Sequence, residues 1–224
     1  MSRIILPLYI YPSPRAWDFI VHSAQEFPSV GISAVVNPSN GSGEKSDQNY
    51  VLAIDQLEVE ENISLFGYVD TNYAKKALSE VRRDIETWHD IYPKVKGIFF
   101  DQVASSHQET YYSLIDSSAK SLGYGFTIAN PGIEIEPSMI GIMNSFVIWE
   151  NSSLPKIDKL FGKFKQYNKS NFGVIVHSQS KYPTHYVKEL ARYAEFIYIT
   201  SGTEPNPYSS VPYLLQLCES LSET

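Results

Sequence analysis

The strongest constraint in this chain is a rhythm. Eight short apolar runs, rich in β-branched and aromatic residues, fall at 4–11, 32–37, 64–70, 95–101, 125–130, 145–150, 172–177 and 196–201. A strand that is apolar along nearly its whole length must be covered on both faces, so these runs predict a parallel sheet flanked by helices. Helical spacing fills the gaps at 14–26, 49–59, 72–91, 108–122, 137–143, 155–164, 183–194 and 211–222. The third stretch puts Ala77, Leu78, Val81, Ile85, Trp88 and Ile91 on one face. Ser13 is the expected N-cap of the first, with Pro14 at its first helical position, and Gly123 is the expected stop of the fourth.

Eight such units can close into a barrel or lie open as a doubly wound sheet. In an open sheet, functional polar residues gather at one switch point, whereas in a closed barrel every strand end faces the same mouth. Here nearly every run ends on a polar residue: Tyr11, Asn37, Asp70, Asp101, Asn130, Glu150, His177 and Ser201. The expected architecture is therefore α/β, a (β/α)8 TIM-type barrel. With no linker, repeat or low-complexity tract, one domain is expected over 1–224.

Composition removes several classes of function. The net charge of −7 comes without a basic stripe, which argues against a nucleic-acid partner. No apolar run approaches the roughly 20 residues of a membrane span, so no membrane partner is expected. The one cysteine, Cys218, lies among Tyr213, Leu214, Leu217 and Leu221 at helical spacing and reads as a small buried hydrophobe. Pro7 and Pro12 interrupt the first apolar run and no small-residue cleavage site follows. The expectation is a cytoplasmic chain or the mature form of a secreted one, with oligomeric state open.

Two carboxylates stand out. Asp101 closes the fourth run and Glu150 the sixth. A carboxylate after an apolar strand is too costly to bury alone, but at a strand end it can sit in the mouth. Alternation would place Asp101 on the face of Gly97 and Phe99, and Glu150 on the face of Phe146 and Ile148, with Val147 and Trp149 packing outward. Strands separated by one neighbour are about 10 Å apart, so inward-leaning carboxyl groups would approach to about 5–9 Å, the span of both glycosidase geometries. The other reading of each is a helix cap or a partner for lysine. Tyrosines near strand ends, Tyr9, Tyr11, Tyr68 and Tyr73, offer flat amphipathic faces for sugar rings or plain barrel packing.

Other chemistries fit less well. The loop 37–46 has the glycines and lysine of a phosphate loop, but Glu44 separates Gly43 from Lys45, so a mobile rim loop is expected, with Asn37 or Asn40 free to touch substrate. The five histidines lack metal-ligand spacing, and no Gly-x-Ser-x-Gly elbow occurs, so neither a metal nor a cofactor is expected. His177, at a strand end, is either a substrate contact or a structural hydrogen-bonder.

Four segments taken in order carry a family likeness: Leu6-Pro7-Leu8-Tyr9-Ile10-Tyr11-Pro12, Val36-Asn37-Pro38-Ser39-Asn40-Gly41-Ser42-Gly43, Gly67-Tyr68-Val69-Asp70-Thr71-Asn72-Tyr73 and Gly97-Ile98-Phe99-Phe100-Asp101. Together they resemble the spherulin-4 (spherulation-specific) family, sharply over the first hundred residues and more loosely beyond. The resemblance implies a TIM-type barrel and a glycoside hydrolase, since fungal relatives cut α-1,4-linked N-acetylgalactosamine inside galactosaminogalactan. It further implies dependence on an Asp-Glu pair after strand 4 and a Glu on a later strand. Asp101 matches the Asp and Glu150 the later Glu, while position 102 is Gln, which cannot titrate. The expectation is a two-carboxylate glycosidase on an amino-sugar polysaccharide or oligosaccharide. By analogy with other barrel glycosidases, Asp101 would be nucleophile and Glu150 acid/base, with Tyr9, Asn37, Tyr68, Gln102, Asn130 and His177 lining the cleft. The alternatives are a non-catalytic carbohydrate-binding barrel and a spore- or cyst-wall structural protein.

Overall fold

The computed structural model describes residues 1–224. Eight parallel strands, β1 (Arg3–Leu8), β2 (Ile32–Val36), β3 (Ile63–Asp70), β4 (Gly97–Asp101), β5 (Phe126–Asn130), β6 (Ser145–Asn151), β7 (Phe172–Val176) and β8 (Phe196–Ile199), pair in chain order. β8 returns to pair with β1, so the sheet closes and has no edge. The helices are α1 (Asp18–Glu26), α2 (Gln48–Glu58), α3 (Leu78–Ile91), α4 (Glu109–Ser121), α5 (Ile157–Phe161), α6 (Thr184–Leu190) and α7 (Leu214–Ser222). A single 3-10 turn, Pro137–Met139, replaces a helix between β5 and β6.

Local chemistry explains most boundaries. Asp47 caps α2 by accepting from the Asn49 N–H at 2.8 Å. α3 buries Val81, Ile85 and Trp88 at helical spacing, and the Trp88 indole donates to the Tyr68 carbonyl at 2.8 Å, pinning the helix to β3. Gly123 ends α4 in the left-handed region, φ 89°. Cys218 is buried in α7 as a free thiol, and burial pushes its pKa up to about 12.

Several expected starts and stops move. β1 ends at Leu8 rather than Tyr11, because its neighbour β2 ends at Val36 and offers no further ladder. α1 begins at Asp18, not Pro14: Arg15 is left-handed (φ 69°), the chain turns there, and Ser13 caps nothing with its side chain. The stretch expected to be helical from 72 instead holds three consecutive left-handed residues, Asn72, Tyr73 and Ala74, and α3 starts only at Leu78. Gly141, at φ 94°, stops any helix growing past the turn at Pro137.

The lumen is filled from the bottom by aromatic rings. Phe66 and Phe126 meet edge-to-face with centroids 6.1 Å apart, and Phe126 lies 5.7 Å from Phe196 across the barrel. The Arg3 guanidinium sits over Phe196 and donates to Ser64 Oγ at 3.1 Å. Gly97 leaves room for this layer, since a Cβ there would stand 2.5 Å from the Phe66 ring.

Candidate active site

The ladder sets the site. Asp70 pairs with Asp101 and Asp101 with Asn130, so three polar strand ends stand side by side at the C-terminal mouth, where barrel enzymes carry their chemistry. On the inner face Tyr68 sits one step below and donates to Asp101 Oδ2 at 2.8 Å. Asn130 Nδ2 donates twice, to Asp101 Oδ1 at 2.8 Å and to Glu150 Oε2 at 2.6 Å. One amide therefore spans both carboxylates. Their nearest oxygens can be no further apart than those two bonds laid end to end, about 5.4 Å. The remaining Glu150 oxygen accepts a short hydrogen bond from the Tyr208 hydroxyl.

Glu150 reaches this position by a route that alternation does not give. β6 enters the lumen with Ser145 beside inward Ile128, and Val147 beside Gly173. Strict alternation from there would turn Glu150 outward. The register slips between Val147 and Trp149, leaving Ile148 as an extra residue, and Glu150 then pairs with Ile175 and faces inward. The expected company of Glu150 is corrected accordingly: it shares the inner face with Val147, not with Phe146 and Ile148. Gly132, just past β5, holds the bulge. Its N–H donates to the Val147 carbonyl at 3.1 Å and its carbonyl accepts from the Glu150 N–H at 2.8 Å. Gly132 is left-handed (φ 66°), a conformation that costs glycine little.

The electrostatics act strongly on Asp101. Burial, then the charge of Glu150, raises Asp101 to about 6, against the pull of hydrogen bonds from Tyr68, the Gln102 backbone and Asn130. The phenols of Tyr9, Tyr68 and Tyr208 are pushed up by burial and the nearby carboxylates, so all three stay protonated donors. No lysine or arginine pairs with Asp101 or Glu150. The Oδ1 of Asn130 is buried without a protein partner.

A cleft of about 540 Å³ opens beside Glu150, lined by Tyr9, Ile133, His177, Glu204 and Tyr208 among others. Tyr9 stacks edge-to-face on both Tyr68 (6.0 Å) and Tyr208 (5.6 Å). His177 lies just past the end of β7, with Nδ1 2.9 Å from Ser178 Oγ and Nε2 3.8 Å from Glu204. Of the residues expected from sequence, Tyr9, Glu150 and His177 line this cleft, while Tyr68, Asp101 and Asn130 join it through the hydrogen bonds that lead to Glu150. Gln102 adjoins Asp101 at φ 51°; its carbonyl accepts from Thr71 Oγ1 and the Tyr73 N–H, and its side chain has no protein partner. Asn37 stands apart: its Oδ1 accepts from the Gly41 N–H at 2.7 Å, closing the β2–α2 loop, and it does not line the cleft.

Tyr208 is the functional residue that sequence reasoning passed over. It belongs to the loop Gly202-Thr203-Glu204-Pro205-Asn206-Pro207-Tyr208 after β8. This loop folds so tightly that a Cβ on Gly202 would stand 2.0 Å from the Pro207 carbonyl oxygen. Two prolines and an obligatory glycine, immediately after a barrel strand on the mouth side, were the available signal. No group of three His, Cys, Asp or Glu side chains converges as a metal cage, and no helix is long and apolar enough to cross a membrane.

Comparison with known proteins fits this geometry. A family model described as "Spherulation-specific family 4" matches residues 3–220. Spherulin-4 of Physarum polycephalum is 33% identical over 153 residues, covering 67% of this chain and 45% of the relative, so the chain spans under half the length of that protein. The crystal structure of Aspergillus clavatus Sph3 in complex with GalNAc superposes with a TM-score of 0.89 at 28% identity, covering 99% of this chain and 97% of that one. A probable tagatose 6-phosphate kinase from Sinorhizobium meliloti, with a TM-score of 0.60 at 13% identity over 88% of this chain and 64% of that one, shares the fold alone.

Proposed function

The chain belongs to spherulation-specific family 4, and from its cleft we propose a glycoside hydrolase that cuts within an amino-sugar polysaccharide, using Asp101 and Glu150. The observation that carries this reading is the Asn130 amide, which holds both carboxylates at one mouth with nearest oxygens within about 5.4 Å. Retaining glycosidases place their two carboxyl groups about 5–5.5 Å apart, whereas inverting ones need about 6.5–9.5 Å to admit a water. The proposed outcome is retention. The similar Sph3 structure, which holds GalNAc, supports an amino sugar as the recognised unit.

The environments favour roles opposite to those drawn by analogy from other barrels. Asp101, raised to about 6, holds its proton close to neutral pH and suits the acid that protonates the leaving oxygen. Glu150, held by Asn130 and Tyr208 and lining the open cleft as Asp101 does not, is the carboxylate placed to attack the anomeric carbon. After the leaving sugar departs, Asp101 takes a proton from the incoming water as its oxygen bonds to the anomeric carbon and the ester bond to Glu150 breaks, freeing the carboxylate. Tyr9 and His177 line the side of the cleft where the bound sugar would rest.

The test is release of reducing ends from α-1,4-linked N-acetylgalactosamine polymer. Asp101→Asn and Glu150→Gln should each lose on the order of 10³-fold in rate while folding normally. Full activity in either variant overturns the reading. A 2-fluoro glycoside that forms a stable ester should label Glu150; a label on Asp101 would restore the analogical roles. Gln102 favours a second reading, a binding barrel without turnover, because its unpartnered amide stands where related enzymes carry Glu. That reading expects saturable binding and no new reducing ends.

A further inference from the structure

The molecule carries a second, larger cavity beside the catalytic cleft. A groove of about 990 Å³ lies on the outer flank of the same mouth, between the glycine-rich β2–α2 loop and α3. One wall is the loop Ser39–Glu44, the other is Lys76 together with Arg83, Asp84 and Thr87 of α3, and Tyr68 and Val69 of β3 form its floor. The loop is held open by its own geometry. Asn40, Gly41 and Gly43 are all at positive φ, and Asn37 ties the turn through the Gly41 N–H. Glycines at 41 and 43 project no side chain into the space, so backbone groups and the Ser39 and Asn40 side chains face it.

The lining decides the class of ligand. Two of its twelve residues are hydrophobic, which makes it a poor seat for a lipid or an apolar peptide. Its charges cancel: Lys76 and Arg83 against Glu44 and Asp84. Lys76 is already satisfied by Asp84 at 2.6 Å, so the two do not act as a free anion cradle. The Arg83 guanidinium and the Glu44 carboxylate make no hydrogen bond or ion pair with the rest of the protein. A surface offering donors and acceptors in balance, with no net charge and a volume in the range of ligand sites, matches a neutral polyhydroxylated chain. Its position matters equally. Tyr68 bonds Asp101 with its phenol, while a Cβ on Gly41 would stand 4.0 Å from its carbonyl oxygen, so one residue separates the groove from the catalytic pair.

We infer that this groove is a second, non-catalytic binding site for a neutral oligosaccharide segment, holding a polysaccharide chain whose neighbouring part lies in the catalytic cleft. The identity of the sugar rests on the function proposed above; the existence of the site does not. The chain would cross the rim at β3 and descend along α3, contacting Arg83 and the 39–44 loop.

The experiment uses the full chain carrying Asp101→Asn, which prevents turnover, and titrates in an α-1,4-linked N-acetylgalactosamine trisaccharide by calorimetry. Two sites are expected. Adding Arg83→Ala, which removes an exposed side chain that supports nothing else, or Thr87→Trp, which fills the groove, should leave one. In the active background Arg83→Ala should raise KM for long polymer about tenfold, the worth of one charged hydrogen bond, and leave cleavage of a short oligosaccharide unchanged. One site in the parent, located in the cleft, overturns this inference and leaves the hydrolase reading standing. Groove binding with no reducing ends released does the reverse. Displacement of the trisaccharide from the groove by millimolar inorganic phosphate also overturns it, in favour of an anion site.

Discussion

The bottom and the top of this barrel are built from the same rings and behave as different materials. At the bottom Phe66, Phe126 and Phe196 meet at 5.7 to 6.1 Å and do nothing but fill space. At the top Tyr9 meets Tyr68 and Tyr208 at 5.6 to 6.0 Å, edge-to-face as Phe66 meets Phe126 below. What the upper layer adds is a hydroxyl on each ring. Two of those hydroxyls hold the acids, Tyr68 on Asp101 and Tyr208 on Glu150, and the third is open to the cleft. The packing that stabilises the barrel thus continues upward into the site and becomes its hydrogen-bond frame without a change of architecture.

Breaking the lower layer should show the contrast most strongly. Phe196→Ala removes a fully buried ring and should cost about 3–5 kcal/mol in chemical denaturation, while the folded fraction keeps its kcat. Tyr208→Phe in the upper layer keeps the ring and removes only the donor to Glu150. It should lower kcat by about 10- to 100-fold, the worth of a hydrogen bond to a charged group, with a change in stability under about 1 kcal/mol. Tyr68→Phe sharpens the comparison further. Its hydrogen bond favours ionised Asp101, so its loss should move the Asp101 limb of the pH–rate profile upward from about 6, with roughly a tenfold loss of rate.

The smallest effect is on the pH dependence of stability. Asp101 titrates at about 6 in the folded chain and near 3.8 when unfolded. Between those values the folded protein holds a proton that the unfolded chain has released, so this residue's contribution is fully present below about 3.8 and is lost as pH rises through about 6. Asp101→Asn should remove that slope and unfold at higher denaturant than the parent at pH 8, by about 1 kcal/mol. A parent whose midpoint rises from pH 4 to pH 7 through this residue would contradict the assignment.

The barrel was legible because its strands are buried on both sides, and a strand with no polar face writes itself plainly into composition. Asp101, Asn130 and Tyr68 were legible for a related reason: each sits at or next to a strand end, where burial stops and polarity becomes affordable. What escaped depends on backbone conformations that side-chain pattern does not encode. Arg15 and the run Asn72-Tyr73-Ala74 look helical in composition yet adopt positive φ, which delays α1 and α3 by several residues. Tyr208 escaped because its place is set by a close approach of Gly202 to Pro207, fifty-eight residues from the Glu150 it serves. The inner face of β6 escaped because one extra residue inverts every parity argument that follows it.

That extra residue has a mechanical consequence. Above Trp149, β6 keeps its ladder with β7, while on its other side Gly132 takes the place that β5 holds below. Glu150 therefore takes its position from β7 on one side and from the loop at Gly132 on the other. A substitution at Pro131 or Ile133 should disturb the aim of this carboxylate through its backbone bond to Gly132. The shape of the cleft can change through one short loop, with the barrel beneath it left as it is.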